Sequence, residues 1–175
     1  LDVSVTLRDR VPCVDPARDP YYPELEVLKP IRADPDRFRV HRWFPDHPMR
    51  FRDNVFWAYG LSTATGYDSL APNGLRLLPW NETNGFSRWL DAANIKYVFA
   101  EEGARLPSGR FEMVAMQPGV RVWRNKDVLP RIHAVGSAVV LGDEREVLGA
   151  IRSGDLDPHV GVYLERSQAG VKGAV

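Results

Sequence analysis

Apolar residues recur along this chain with two different periods, and the switches between them outline its elements. Pro23-Glu24 opens a short helix with Leu25 and Leu28 on one face, and Pro30 and Pro35 close it. Residues 37–43 (RFRVHRW) alternate as a strand, with Phe38 and Val40 on one face and Arg37, Arg39 and His41 on the other. Residues 45–53 (PDHPMRFRD) read as a loop. The helical period returns with Phe86, Trp89, Leu90 and Ala93, capped by Asn84 or Ser87, and Asn94 suits the left-handed position that ends such a helix. Residues 95–100 (IKYVFA) are apolar enough for a largely buried strand.

A hairpin follows, FEMVAM and VRVWRN, joined by Gln117-Pro118-Gly119. Proline fixes the dihedral of the first turn corner and glycine tolerates the positive one at the second. Residues 131–141 are apolar and β-branched and predict one or two more strands, with Pro130-Arg131 as the strand-entry signal. Asp143 and Glu146 form a capping box ahead of a stripe of Val147, Leu148 and Ile151, which Gly154 stops. Residues 159–164 supply a last strand. The order β–α–β–β–β–β–α–β predicts an α+β (or α/β) domain: a single mixed β-sheet with helices packed mainly on one face. Residues 1–23, rich in Asp, Arg and Pro, read as an extended arm or linker, residues 24–166 as the single domain, and residues 167–175 as a flexible tail.

Charge and composition then narrow the function classes. The 23 basic and 23 acidic residues cancel, which argues against a dedicated nucleic-acid partner. With 44% hydrophobic residues the chain can bury a core. The single cysteine, Cys13, excludes an internal disulfide and a cysteine-based zinc site. No apolar run approaches the roughly 18–20 residues that span a bilayer, and LDVSVTLRDR lacks the basic start and apolar middle of a signal peptide. The start at leucine fits an excised segment of a longer protein.

Three stretches, in order, carry a family resemblance. NVFWAYGLSTATGYDSL follows Asn…Tyr-Gly-x-Ser…Gly-Tyr-Asp-x-Leu; RWLDAANIKYVFA follows Leu-Asp-x-x-Asn-Ile/Val-Lys-Tyr; and VRVWRNKDVLPRIHAVG follows Val-x-Asn…Leu-Pro-Arg. Together they resemble the extracytoplasmic soluble region of the YfhO-type bacterial multi-spanning membrane proteins, which are similar to C-type glycosyltransferases using lipid-linked sugar donors. Trp123-Arg124-Asn125 stands where that family usually has Tyr-Glu-Asn. The resemblance implies a non-catalytic accessory domain on the extracytoplasmic face of the bacterial cell membrane. Its partners would be the membrane-spanning and remaining soluble parts of its parent chain, with a glycan or lipid-linked sugar as ligand and no cofactor. It also implies that the catalytic acidic residue of an early extracytoplasmic loop, and a strand-rich continuation with a Pro-Gly-Trp signature, belong to other parts of such a protein. Two other expectations stand beside it: a free-standing module binding a polar ligand or anionic polymer, and a serine hydrolase.

The candidate residues follow from chemistry. Asn54, Tyr59, Tyr67 and Asp68 sit in a turn-rich loop punctuated by Gly60 and Gly66, and aromatic faces beside hydrogen-bonding groups suit a sugar. The same residues also serve a purely structural turn, with Tyr67 packed beneath it and Asp68 bonded to local amides. Arg39, Arg42, Arg50 and Arg52, with Arg37, form the one local charge bias and offer an anionic-surface contact, although strand alternation alone also places arginine on a wet face. Ser62 in GLSTA falls one glycine short of a nucleophile elbow, with His133 and His159 as distant base candidates. His41, Asp46 and His47 lack metal-ligand spacing, and Pro45 and Pro48 exclude a helix between them, so no metal is expected. Glu101-Glu102 reads as a polar loop, and Asn81-Glu82-Thr83 matches the glycosylation sequon.

Overall fold

The computed structural model describes residues 25–44, 55–64, 88–107, 109–155 and 157–166. Its centre is a four-stranded mixed sheet in the order β1-β2-β4-β3, formed by β1 (Arg39–Trp43), β2 (Ile95–Ala100), β3 (Phe111–Gln117) and β4 (Val120–Asn125). β1 runs parallel to β2, with an irregularity between Arg39 and Val40, while β2–β4 and β3–β4 are antiparallel. The last two strands, β5 (Ser137–Leu141) and β6 (Gly161–Glu165), pair with each other in a separate parallel sheet, so the strands divide between two sheets. The fold is α+β.

Both faces of the four-stranded sheet are covered, because side chains alternate along each strand. Val40, Tyr97, Phe99, Val120 and Val122 face one cluster. It is roofed by a 3-10 turn (Glu26–Leu28), α1 (Lys29–Arg32) and α2 (Val55–Ala58), through Val27, Leu28, Ile31 and Phe56. Ile95, Val98, Ala100 and Phe111 face the opposite cluster, closed by Leu90 and Ala93 beside α3 (Trp89–Ala92). The helical cover is thus heavier on the first face.

Two local readings change. Pro30 does not close the first helix; it sits in the first turn of α1, where its missing N–H has no intrahelical partner to lose, and Pro35 alone lies beyond the end. His41 is not on a wet face. It is only 2% exposed, because the face it shares with Arg39 and Trp43 is the one packed beneath α3. Residues 81–87, including the proposed caps Asn84 and Ser87 and the sequon, lie outside the described residues; Arg88 precedes α3 with no side-chain cap bond.

The backbone punctuation is where the residue types demand it. Asn94 takes φ 58° at the end of α3, and Gly119 takes φ 79° in the hairpin. Asp143 Oδ1 accepts the Glu146 N–H at 2.9 Å, starting α4 (Glu144–Ser153), and Glu146 Oε2 accepts the Gly142 N–H at 2.6 Å. Gly154 ends that helix at φ 72°. Only Leu148 of the expected stripe is buried, with Val147 and Ile151 half-buried.

Candidate functional site

The segment after α2 builds one wall of a cleft. Tyr59 N–H and Leu61 N–H both donate to Phe56 O at 3.0 Å, and Gly60 turns the chain at φ 74°. The chain then lies along the free edge of β1: Val40 N–H donates to Ser62 O at 2.8 Å, and Thr63 forms a parallel bridge with Val40. On its other side β1 is tied to β2 by Arg39 N–H donating to Asn94 O at 2.8 Å. Residues 60–63 therefore stand beside Arg39 because both belong to the same sheet edge.

A buried polar cluster brings in the opposite wall. Asp91 is 1% exposed, although a carboxylate on a short helix reads as a surface residue. Its Oδ1 accepts Asn125 Nδ2 at 2.6 Å and Arg110 Nη2 at 2.5 Å. Burial raises its pKa, and the bonds from Asn125 and Arg110 offset that only in part. The backbone carbonyl of Asp91 accepts Leu129 N–H at 3.1 Å, and Asn94 Nδ2 donates to Leu129 O at 2.8 Å. Leu129 is thereby pinned, and two residues later Arg131 is delivered to the cleft. Pro130-Arg131 is consequently a bend and not a strand entry, since Leu129 before it is held by one backbone and one side-chain bond from the α3 region instead of a strand ladder.

Two adjoining hollows result, sharing Gly60, Leu61, Ser62 and Arg131. One, of about 520 Å³, also touches Tyr59, Asp34, Asp36, Arg37 and Phe38. The other, of about 410 Å³, also touches Arg39, Trp57 and Thr63. The two carboxylates of the first are already matched: Lys96 Nζ reaches Asp34 Oδ2 at 2.5 Å and Asp36 Oδ2 at 2.7 Å, and Tyr97 donates to Asp34 at 2.6 Å. Burial pushes the Asp34 pKa up, but the bonds from Lys96, Tyr97 and the Asp36 amide outweigh it and hold the group below its ordinary value. Lys96 also lies 5.8 Å from the Phe38 ring centroid.

Of the residues singled out by sequence, Tyr59 lines the cleft while also packing on the first core cluster. Asn54, Tyr67 and Asp68 lie outside the described residues, as do Arg50, Arg52, Asp46 and His47. Arg39 lines the cleft and donates Nη1 to Ala93 O at 2.9 Å. Arg42 belongs to the opposite face of β1, because it lies three positions from Arg39 and only residues an even number apart share a strand face, so Arg39 and Arg42 do not form one anion-binding surface. Ser62 follows an extended, edge-bridging path and not a strand–turn–helix elbow. His133 Nδ1 lies 3.3 Å from Pro130 O and His159 Nε2 lies 3.1 Å from Asp127 O, so both imidazoles are engaged elsewhere. Among the described residues no group of three or more metal-ligating side chains occurs. Glu102 is a loop residue whose carboxylate accepts Gly119 N–H at 3.1 Å.

Sequence reasoning missed Trp57, Arg131 and the Asp91–Arg110–Asn125 cluster. The available signal was the run of polar residues inside otherwise apolar stretches: Asp91 and Asn94 around α3, Asn125 at the end of β4. A separate, mostly apolar cavity of about 450 Å³ lies between α3 and the β5–α4–β6 unit, touching Trp89, His133, Ile151, Val162 and Tyr163. Compared with known proteins, the chain matches no family model, no curated protein and no solved structure, so the chemistry of this cleft carries the functional reading.

Proposed function

We propose that this chain is a non-catalytic accessory domain on the extracytoplasmic face of a bacterial membrane protein resembling a C-type glycosyltransferase, and that it helps position a lipid-linked sugar or the glycan acceptor. The observation that supports the reading is the placement of Tyr59, Trp57 and Arg39 around two adjoining hollows that share Ser62 and Arg131. Trp57 is 64% exposed at the rim, an arrangement that leaves a large aromatic face available for the apolar side of a sugar ring. Hydroxyls and guanidinium groups beside it supply the orienting bonds. The family resemblance assigns membrane attachment to the rest of the parent protein; no helix among the described residues is long and apolar enough to cross a bilayer.

Titration of neutral oligosaccharides against the parent protein and the Trp57→Ala and Tyr59→Phe variants, followed by tryptophan fluorescence and backbone NMR shifts, tests the proposal. Saturable binding that weakens at least several-fold in Trp57→Ala, with the fold intact, is expected. Absence of saturable binding to the parent protein, or equal affinity in all three, removes the cleft as a glycan site. The alternative of a free-standing module is favoured by the arginine pair alone. Flanking gene sequence without apolar segments of about 20 residues would support it.

A further inference from the structure

We infer that Arg39 and Arg131 together form a subsite for a phosphoryl group, so that the ligand of the cleft is a phosphate ester. This rests on the cleft's being a ligand site as proposed above, and it names the chemistry that site selects.

The two guanidinium groups reach the same hollow from unconnected directions. Arg39 comes from the edge strand β1, and Arg131 comes from the bend that the Asp91–Asn94–Leu129 bonds hold in place. Among the described residues lining that hollow there is no carboxylate: the others are Trp57, Gly60, Leu61, Ser62 and Thr63. The acids of the adjoining hollow, Asp34 and Asp36, are matched by Lys96. Burial lowers the pKa of Arg39, and the neighbouring charge of Arg131 lowers it further. Two cations held close together repel each other, and a bound anion relieves that repulsion.

The geometry selects the anion. Arg39 spends Nη1 on Ala93 O, which fixes the plane of its fork while leaving its other donors for the hollow. A second fork from Arg131 and the hydroxyls of Ser62 and Thr63 add donors around the same space, matching the several acceptor oxygens of a tetrahedral dianion better than the two of a carboxylate. Leu61 and Trp57 also line the hollow, so it accepts one anionic group with an apolar body beside it. A polyanion track requires a long basic stripe, and the chain has no net charge to support one. Glycan phosphates and phospholipid headgroups share this chemistry.

Binding of glucose 1-phosphate, inorganic phosphate, glucose, and vesicles of phosphatidylcholine with or without phosphatidic acid would be measured for the whole chain and for Arg131→Ala, Arg131→Lys and Arg39→Lys. Arg131 is exposed, so its replacement leaves the core untouched, and thermal melting checks this. Glucose 1-phosphate should bind more tightly than glucose, inorganic phosphate should compete, and Arg131→Ala should weaken the phosphorylated ligand by about tenfold or more, a larger loss than it causes for glucose. The lysine variants should fall between, since a point charge replaces a fork. The same loss seen only with phosphatidic acid vesicles assigns the phosphate to a lipid headgroup. Equal affinity of parent and Arg131→Ala for both phosphate sources overturns the inference. If neutral oligosaccharides still bind in a Trp57-dependent way, the glycan cleft survives that result; if nothing binds, both readings fall.

Discussion

The four-stranded sheet and the β5–α4–β6 unit are built from equally good local signals and reach very different degrees of burial. In β2 every residue except Lys96 is buried, and hydrophobic clusters cover both faces. In β5, Ser137, Ala138, Val139 and Val140 are all exposed, with Val140 at 47%. Yet α4 has the better-defined ends, an aspartate cap and a left-handed glycine stop, whereas α3 has no side-chain cap at all. Capping and turn chemistry decide where elements begin and end; cover from distant parts of the chain decides how much each one contributes to stability. Parallel strands normally have both faces covered, which makes the exposure of β5 the more notable half of the contrast.

The comparison is tested first by large-to-small substitutions. Phe99 has no exposed surface, and its ring packs 4.6 Å from that of Phe56. Phe99→Ala should therefore cost about 3–5 kcal/mol in denaturant unfolding. Val140→Ala in β5 should cost roughly 0.5 kcal/mol or less, as for exposed positions. A cost near that of Phe99→Ala would show that the β5 face is covered in solution and collapse the contrast.

The polar clusters sharpen it. Asp91→Ala leaves Arg110 and Asn125 without their shared acceptor and should cost about 3 kcal/mol or more. Asn94→Gly, which removes the side-chain bond to Leu129 O but keeps the left-handed backbone, should shift the NMR signals of residues 129–131 in a way that a surface substitution such as Glu144→Gln does not.

The pH dependence separates two carboxylates of opposite sign. Asp34 is held below its ordinary value, so its contribution is present above about pH 4 and is lost as pH falls through its folded-state pKa. Asp34→Asn should cost roughly 1.5–3 kcal/mol at pH 7, and that difference should vanish at strongly acidic pH. Asp91 is raised, so its contribution is greatest below its unfolded-state pKa and declines as pH rises through the higher folded-state value. A stability difference between the parent and Asp34→Asn that is constant down to pH 2 would contradict this assignment.

The smallest expected effect lies at the start of α4. Asp143→Ala should cost about 0.5–2 kcal/mol for the lost cap and should speed amide exchange in the β5–α4–β6 unit, with β2 unaffected. Equal acceleration in β2 would mean that the two regions unfold as one.

Much of the fold was legible because its markers are local. Asn94, Gly119 and Gly154 each adopt the positive φ their residue types predict, and the hairpin and the α4 box appear where their spacing places them. Pro30 was misread because a proline both starts and stops helices, and position within the first turn is not visible in composition. The site was less legible. Tyr59 and Arg39 were identified individually, but Arg131 looked like a strand entry and Trp57 like one more apolar residue, because nothing nearby in sequence indicates that they meet.

By itself, then, the sequence determined the α+β class, the order of the strands, the turns and the α4 cap, all properties set within a few residues by backbone sterics and short-range hydrogen bonds, whereas it read the helix Val55–Ala58 as part of a loop. Only the tertiary structure decided that the last two strands stand apart in their own sheet, that His41 and Asp91 are buried, and that Arg39 and Arg131, 92 positions apart, face the same hollow. The physical reason is that burial and charge pairing depend on which surfaces meet after the chain has closed loops dozens of residues long, and no local pattern records that meeting.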